Sequence, residues 1–148
     1  MKAQFLGHVV FYVSNLERSV RFYRDLVGFR EVGRIFGNKA AALTAGRTHH
    51  EMLLIEVGAA PGPPQGRRLG LYHIGIKVGD SLDELRKAKA ELERAGVVIE
   101  GMSHHTVSQS LYLRVPDGNE VELYVDASPE TWEKNPQAVL SPIKALNL

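Results

Sequence analysis

Two histidines stand 65 residues apart at matching places in a repeat. His8 lies in Leu6-Gly7-His8-Val9-Val10-Phe11-Tyr12-Val13, and His73 in Leu71-Tyr72-His73-Ile74-Gly75-Ile76-Lys77-Val78. Chance rarely sets the same metal-binding residue type at the same place in both copies. Each stretch alternates like a strand, whose successive side chains point to opposite faces. Val9, Phe11 and Val13 then share one face, while His8, Val10 and Tyr12 share the other. Ile74, Ile76 and Val78 likewise oppose His73, Gly75 and Lys77. Near the carboxyl end Val121, Leu123 and Val125 oppose Glu120, Glu122 and Tyr124. If the apolar faces cover helices, His8, His73 and Glu122 look into one concavity. Two neutral imidazoles and one carboxylate on one side of a divalent cation leave positions open for substrate and O2, as in non-haem Fe(II) oxygenases. Taken alone, a strand histidine is an ordinary core or surface residue and Glu122 a solvated carboxylate. The duplicated histidine and the apolar neighbours of Glu122 weigh against that, because an unpaired carboxylate facing a closed cleft is costly.

The elements that must position these groups repeat as well. After the first strand, Ser14-Asn15-Leu16-Glu17 reads as a capping box, a Ser with Glu three residues on. Leu16, Val20, Tyr23 and Leu26 follow with helical spacing, and Gly28 sits where a left-handed residue ends a helix. Strands are expected at 30–36, 40–44 and 50–57, the last beginning at His50. The Gly- and Pro-rich stretch 58–70 reads as a linker. A strand at 72–78 then leads through Ser81-x-x-Glu84 into a helix over 82–95, which stops at Gly96. Strands at 97–101, 110–115 and 120–125 follow, the last two joined by Pro116-Asp117-Gly118-Asn119. The pattern is βαβββ twice, an α+β fold. Residues 127–148 match neither copy; Trp132, Val139, Leu140 and Ile143 make them apolar enough to pack on the body or on a second chain.

With 148 residues, one domain is expected over 1–148. It comprises module one at 1–57, the linker, module two at 71–126 and the tail. A net charge of +1 gives no reason to expect nucleic acid or an anionic membrane as partner. The absence of cysteine excludes disulfides, thiolate catalysis and thiolate metal sites, and fits a reducing compartment. No apolar run approaches the ~20 residues of a membrane span, and the N-terminus has no signal-peptide pattern. A cytoplasmic protein is expected, a homodimer through its apolar tail.

Four stretches carry a family resemblance. They are Gly7-His8-Val9 leading into LERSVRFYRDLVGF, the run Thr48-His49-His50-Glu51-Met52-Leu53-Leu54-Ile55-Glu56, Leu71-Tyr72-His73-Ile74, and HTVSQSLYLRVPDGNEVELYVD from His105 to Asp126. Nearly the whole chain resembles the vicinal oxygen chelate superfamily of glyoxalases, fosfomycin-resistance proteins and extradiol dioxygenases. Within it the chain is most similar to the catechol 2,3-dioxygenase-like extradiol branch. The resemblance implies paired βαβββ modules forming an open, pseudo-symmetric barrel around a metal. It puts His8, His73 and Glu122 on the ligand positions. It further implies that His50 stands beside O2 and moves protons, that His105 contacts the substrate oxygen or the ring-cleavage pocket, and that Tyr112 hydrogen-bonds the bound diol. The partners implied are a small aromatic diol and O2. Fe(II) is the metal expected, because O2 activation needs a redox-active ion, although a His2Glu set also suits Mn(II), Zn(II) or Ni(II).

Three rival readings belong to the same superfamily. Glyoxalase-like lyases or isomerases commonly take a fourth ligand from the last strand of the first module. Aligning Glu51-Met52-Leu53 with Glu120-Val121-Glu122 puts Leu53 there, and leucine binds no metal; a slip of one or two residues brings in Glu51 or Glu56. A metal-free drug-binding protein is a second rival, and such proteins usually lack the full ligand set. Transfer of thiol or water to an epoxide antibiotic would use Lys77 and Arg114 as anion contacts. Arg114 has a simpler partner in Glu120. His49 and His104 are expected to be exposed or supporting.

Overall fold

A computed structural model describes all of residues 1–148. The chain divides into two compact units, Met1–Pro63 and Pro64–Leu148, and the division falls inside the Gly- and Pro-rich linker.

The first unit contains strands β1 (Val9–Val13), β2 (Arg30–Ile35), β3 (Ala40–Thr44) and β4 (Met52–Glu56), with helix α1 (Leu16–Arg21) after β1. The sheet order is β1-β4-β3-β2. β1 runs parallel to β4, and the remaining pairs are antiparallel. Alternation divides the sheet as expected. Phe11, Val13, Met52, Leu54, Ala41 and Leu43 are buried along with Leu16, Val20 and Tyr23 of the helical segment, while Val10 and Tyr12 are exposed. The expected Ser14–Glu17 capping box does not form. Asn15 is the cap, its side-chain oxygen accepting the Arg18 N–H at 2.8 Å. This moves the cap one residue along, so Glu17 is a residue short of the position that reaches back, and it pairs with Arg34 instead. Glu56 of β4 accepts the Leu16 N–H at 2.9 Å and satisfies a second free donor of the first turn. The helix widens into a π turn over Phe22–Leu26 and ends before Gly28, whose φ of +97° only glycine adopts without strain.

The second unit repeats the design with β5 (His73–Gly79), α2 (Leu82–Arg94), β6 (Ile99–His104), β7 (Ser108–Arg114) and β8 (Glu120–Asp126). Its order is β5-β8-β7-β6, again with first and last strands parallel. The Ser81–Glu84 capping box forms: Ser81 accepts the Glu84 N–H, and the Glu84 carboxylate takes the Asp80 N–H at 2.8 Å. Leu85 and Leu92 of α2 are buried, as are Leu111, Leu113, Val121, Leu123 and Val125 of the sheet. Each such side chain contributes about 1.5–3 kcal/mol on burial. The strand expected at 97–101 begins two residues later, because Gly96 and Val97 still bond to the last turn of α2. The tail adds helix α3 (Glu130–Glu133), a 3-10 turn over Pro136–Leu140 and a short β9 (Lys144–Ala145). β9 pairs with the edge of β6, and Ala138 and Leu146 are buried. The architecture is α+β, with βαβββ in each unit. No helix is long and apolar enough to cross a membrane.

The pairing registers of the two units correspond. Val9 faces Met52 and Val10 faces Leu53 in the first; Ile74 faces Val121 and Gly75 faces Glu122 in the second. Leu53 therefore holds the register place of Glu122, and Glu51 that of Glu120, with no slip.

Candidate active site

The second unit brings four of the six expected residues together. Glu122 on β8 lies directly opposite Tyr112 on β7. One of its oxygens, Oε2, is 3.2 Å from His73 Nε2. The other, Oε1, accepts the Ser110 hydroxyl at 2.5 Å and the Tyr112 hydroxyl at 3.1 Å. His105 Nε2 is 2.7 Å from the same tyrosine oxygen. A phenol has one proton to give, so with Tyr112 donating to Glu122, His105 presents its Nε2–H to Tyr112. Burial, then the Glu122 charge and the hydrogen bond to it, push the Tyr112 phenol up to about 12. It stays a neutral donor at physiological pH.

A tight hairpin aims His105. Thr106 at its tip has φ of +68°, in the left-handed region that non-glycine residues seldom occupy. The His105 N–H bonds to Ser108 O, and the Val107 N–H to His105 O. His104 takes the Thr106 N–H on Nδ1 at 3.0 Å and meets the Gln109 amide through Nε2. His104 is thus a supporting residue, as expected. Lys77 is engaged by Asp80 and Asp126, and Arg114 by Glu100 and Glu120, so both proposed anion contacts already have acidic partners.

In the first unit His8 lies just ahead of β1, its ring centroid 4.6 Å from that of His50. His50 is not on a strand: β4 starts at Met52, and His50 belongs to the loop before it. The cause is Glu51. Its carboxylate accepts the Thr44 hydroxyl and the N–H groups of Ala45, Arg47 and Thr48, curling the loop around itself. Burial raises the Glu51 pKa, but these bonds outweigh it and leave the carboxyl below its ordinary value. Arg47 also donates to Leu6 O, tying the loop to the segment that carries His8. His49 and His50 approach through their Nδ1 atoms at 2.6 Å and must share one proton between them. Burial, then the charges of His49 and His8, lower the His50 pKa and favour the neutral ring. With Glu51 holding a loop and Glu56 capping α1, neither is left as a fourth ligand, and Leu53 stands at the register place one would need.

Neither unit by itself assembles three metal-binding side chains. The donor set of the second unit nevertheless fits a divalent cation. An imidazole nitrogen and a carboxylate oxygen lie side by side. Gly75 leaves the space next to them open: a Cβ there would come within 3.5 Å of Glu122 Oε2 and 3.3 Å of the Tyr124 ring. His73 and Glu122 are the residues that would hold a metal in this unit; in the first unit His8, ahead of Val9, stands at the register place of His73. One participant escaped the sequence reading, Ser110, which donates to Glu122. It could have been found by period-2 counting from Tyr112, whose strand face it shares.

Comparison with known proteins bears on these geometries. The model of the Glyoxalase/Bleomycin resistance protein/Dioxygenase superfamily matches residues 5–123. The chain is 35% identical over 130 residues to catechol-2,3-dioxygenase of Bacillus subtilis (strain 168), covering 88% of this chain and 44% of that one. It is 32% identical over 138 residues to biphenyl-2,3-diol 1,2-dioxygenase 3 of Rhodococcus globerulus, covering 84% of this chain and 66% of that one. The chain thus spans less than two thirds of either relative's length. Among solved structures, a lactoylglutathione lyase from Agrobacterium tumefaciens superposes with TM-score 0.63 at 24% identity, over 84% of this chain and 96% of that one. A glyoxylase/bleomycin resistance protein/dioxygenase domain from Frankia sp. EAN1pec gives 0.69 at 20% identity, over 85% and 100%. These two likenesses are of fold alone. Duplicated βαβββ units, matched registers and the family match over residues 5–123 lead to one assignment: the chain belongs to the glyoxalase/bleomycin resistance/dioxygenase superfamily, the vicinal oxygen chelate proteins.

Proposed function

We propose that the protein is a metal-dependent extradiol dioxygenase that opens a catechol-type aromatic diol with O2. The ligand set is His8, His73 and Glu122, and the metal is Fe(II). The observation that carries this reading is the chain His73–Glu122–Tyr112–His105, held at 3.2, 3.1 and 2.7 Å. It sets a metal-binding pair against a hydrogen-bonding pair suited to a diol oxygen. The absence of a donor at Leu53 favours three protein ligands over four.

His8, His73 and Glu122 would hold the Fe(II), which would supply acidification of a chelating diol and redox chemistry toward O2. The chain's own groups handle the protons. Tyr112, kept neutral by burial and by Glu122, turns its one proton from Glu122 to a diol oxygen and does not act as the base. The released proton goes to the other ring nitrogen of His105, Nδ1, since its Nε2–H is given to Tyr112. His50, a neutral imidazole backed by His49, holds and returns the proton that ring opening requires. Both oxygen atoms enter beside the diol, and the carbon–carbon bond there breaks to give a semialdehyde-type acid. The reading includes a homodimer in the cytoplasm. The exposed Val139, Leu140 and Ile143 of the tail support the first, and the lack of cysteine supports the second.

The test is oxygen uptake by anaerobically Fe(II)-loaded protein given catechol and substituted catechols. Uptake with yellow product is expected. His73→Ala and Glu122→Ala are expected to lose both metal and turnover. His50→Ala is expected to keep metal and lose roughly 10²–10⁴ in rate. Turnover of a glutathione hemithioacetal without diol-dependent uptake would overturn the reading in favour of a lyase.

A further inference from the structure

Behind His73 lies a second carboxylate with no role in the scheme above. Glu120 faces His73 across the β5–β8 pair. Its Oε1 is 3.4 Å from His73 Nδ1. Both atoms are buried, and neither has a well-formed hydrogen bond to any group. Leaving a donor and an acceptor buried and unmade is costly, and a small rotation of the ring joins the two. The carboxylate is not free to turn away. Arg114 Nη2 holds its Oε2 at 3.2 Å, while the same guanidinium is fixed through Nε by Glu100 and through Nη1 by Gly118 O. Tyr72, beside His73 with ring centroids 4.6 Å apart, leans on the same carboxylate. His73 thus sits between two carboxylates, Glu120 at Nδ1 and Glu122 at Nε2.

We propose that Glu120, clamped by Arg114, is the positioning residue of the metal site: it takes the His73 Nδ1 proton and so leaves Nε2 as the metal-facing nitrogen. The proposal rests on the dioxygenase reading for His73 as a ligand, but its geometry lies wholly within the second unit. A metal-ligating histidine ordinarily gives its other N–H to such an acceptor, which fixes the tautomer and the ring plane. The first repeat shows that the register alone does not produce this. Glu51 holds the same place and spends its carboxylate on loop amides. Arg114 also makes a neutral isostere fail. In Glu120→Gln the guanidinium claims the amide oxygen and turns the amide NH2 toward His73 Nδ1. The ring proton is then driven to Nε2, where the metal should bind.

Two readouts test this on the full-length protein. The first is the 1H–15N spectrum of metal-free protein with labelled histidine, the His73 ring being identified by its loss in His73→Ala. The second is Zn(II) affinity by competition with a chromophoric chelator. Wild type is expected to show a hydrogen-bonded Nδ1 proton. Glu120→Gln is expected to lose it and to bind Zn(II) roughly 10–100-fold more weakly. Glu120→Ala serves as the second variant, with the same direction expected. An unchanged Nδ1 proton and unchanged Zn(II) affinity in both variants would overturn the proposal and leave the metal reading intact. A wild-type Nδ1 proton that the variants lose, in a protein that takes up no Zn(II), Fe(II) or Mn(II), would uphold the ring contact and overturn the dioxygenase reading instead.

Discussion

Glu51 and Glu120 are the same residue type at the same register place, and they do different work. Glu120 lies against an imidazole; Glu51 organises the backbone of residues 44–48. By residue type and proximity Glu51 looked like a rival metal ligand, and nothing in the sequence said that its lone pairs were already taken. The bonds it accepts set a pH dependence. Its folded pKa is depressed, so its stabilisation is complete above the ordinary value of 4.5 and is lost as pH falls through the lower folded value. Glu51→Gln is expected to lower stability at pH 7 by about 2–3 kcal/mol, since it weakens several charge-assisted bonds at once. Urea midpoints should show the gap between wild type and variant shrinking as pH drops below 4.5. A gap that does not change between pH 7 and pH 3 would mean the carboxylate charge is not what holds the loop.

Strand faces were the legible part of the elements. The strict alternation along β8, with Val121, Leu123 and Val125 buried and Glu120, Glu122 and Tyr124 half-buried, follows the written order of residue types. Element ends were less legible, because they depend on backbone angles and side-chain hydrogen bonds that residue type alone does not fix. The cap of α1 depends on the backbone angles at Asn15, and the late start of β4 on where Glu51 finds its donors. Gly75 belongs to this scale, since its value lies in what crosses from the next strand. Gly75→Ala places a methyl 3.3 Å from the Tyr124 ring and 3.5 Å from Glu122 Oε2. The backbone of β5 tolerates alanine there, so the expected loss of stability is under about 1.5 kcal/mol. The tight contact is with the Tyr124 ring, and the methyl fills the space beside Glu122 Oε2 where a cation would lie. Zn(II) affinity is expected to drop several-fold while the melting temperature of the metal-free protein moves little. The reverse, a large loss of metal-free stability with unchanged affinity, would show that Gly75 serves packing and not the site.

At the scale of the molecule the sequence announced a duplication, because the histidine-bearing strands and the helices after them repeat in composition and spacing. The tail matches neither copy, and its pairing with the edge of β6 had no counterpart from which to infer it. Each unit has its own buried side chains, Leu16, Val20, Leu43 and Leu54 in one and Leu85, Leu92, Leu111 and Val121 in the other. Folding therefore does not wait for a metal, and the metal should act as a ligand of the folded state. A ligand that binds only the native protein stabilises it by about 2.7 kcal/mol at one hundred times its dissociation constant. For a chain of this size that is roughly 5–10 °C in melting temperature. Scanning calorimetry of apo and Zn(II)-saturated protein should show a rise of that order. It is expected to vanish in His73→Ala and in Glu122→Ala, whose donor atoms already adjoin each other. The deciding variant is His8→Ala, because His8 enters the ligand set through the repeat and the family resemblance. Loss of the metal-dependent rise with an unchanged apo melting temperature would establish His8 as the third ligand. A full rise in His8→Ala would remove it from the set, leave His73 and Glu122 in place, and require another donor to complete the coordination.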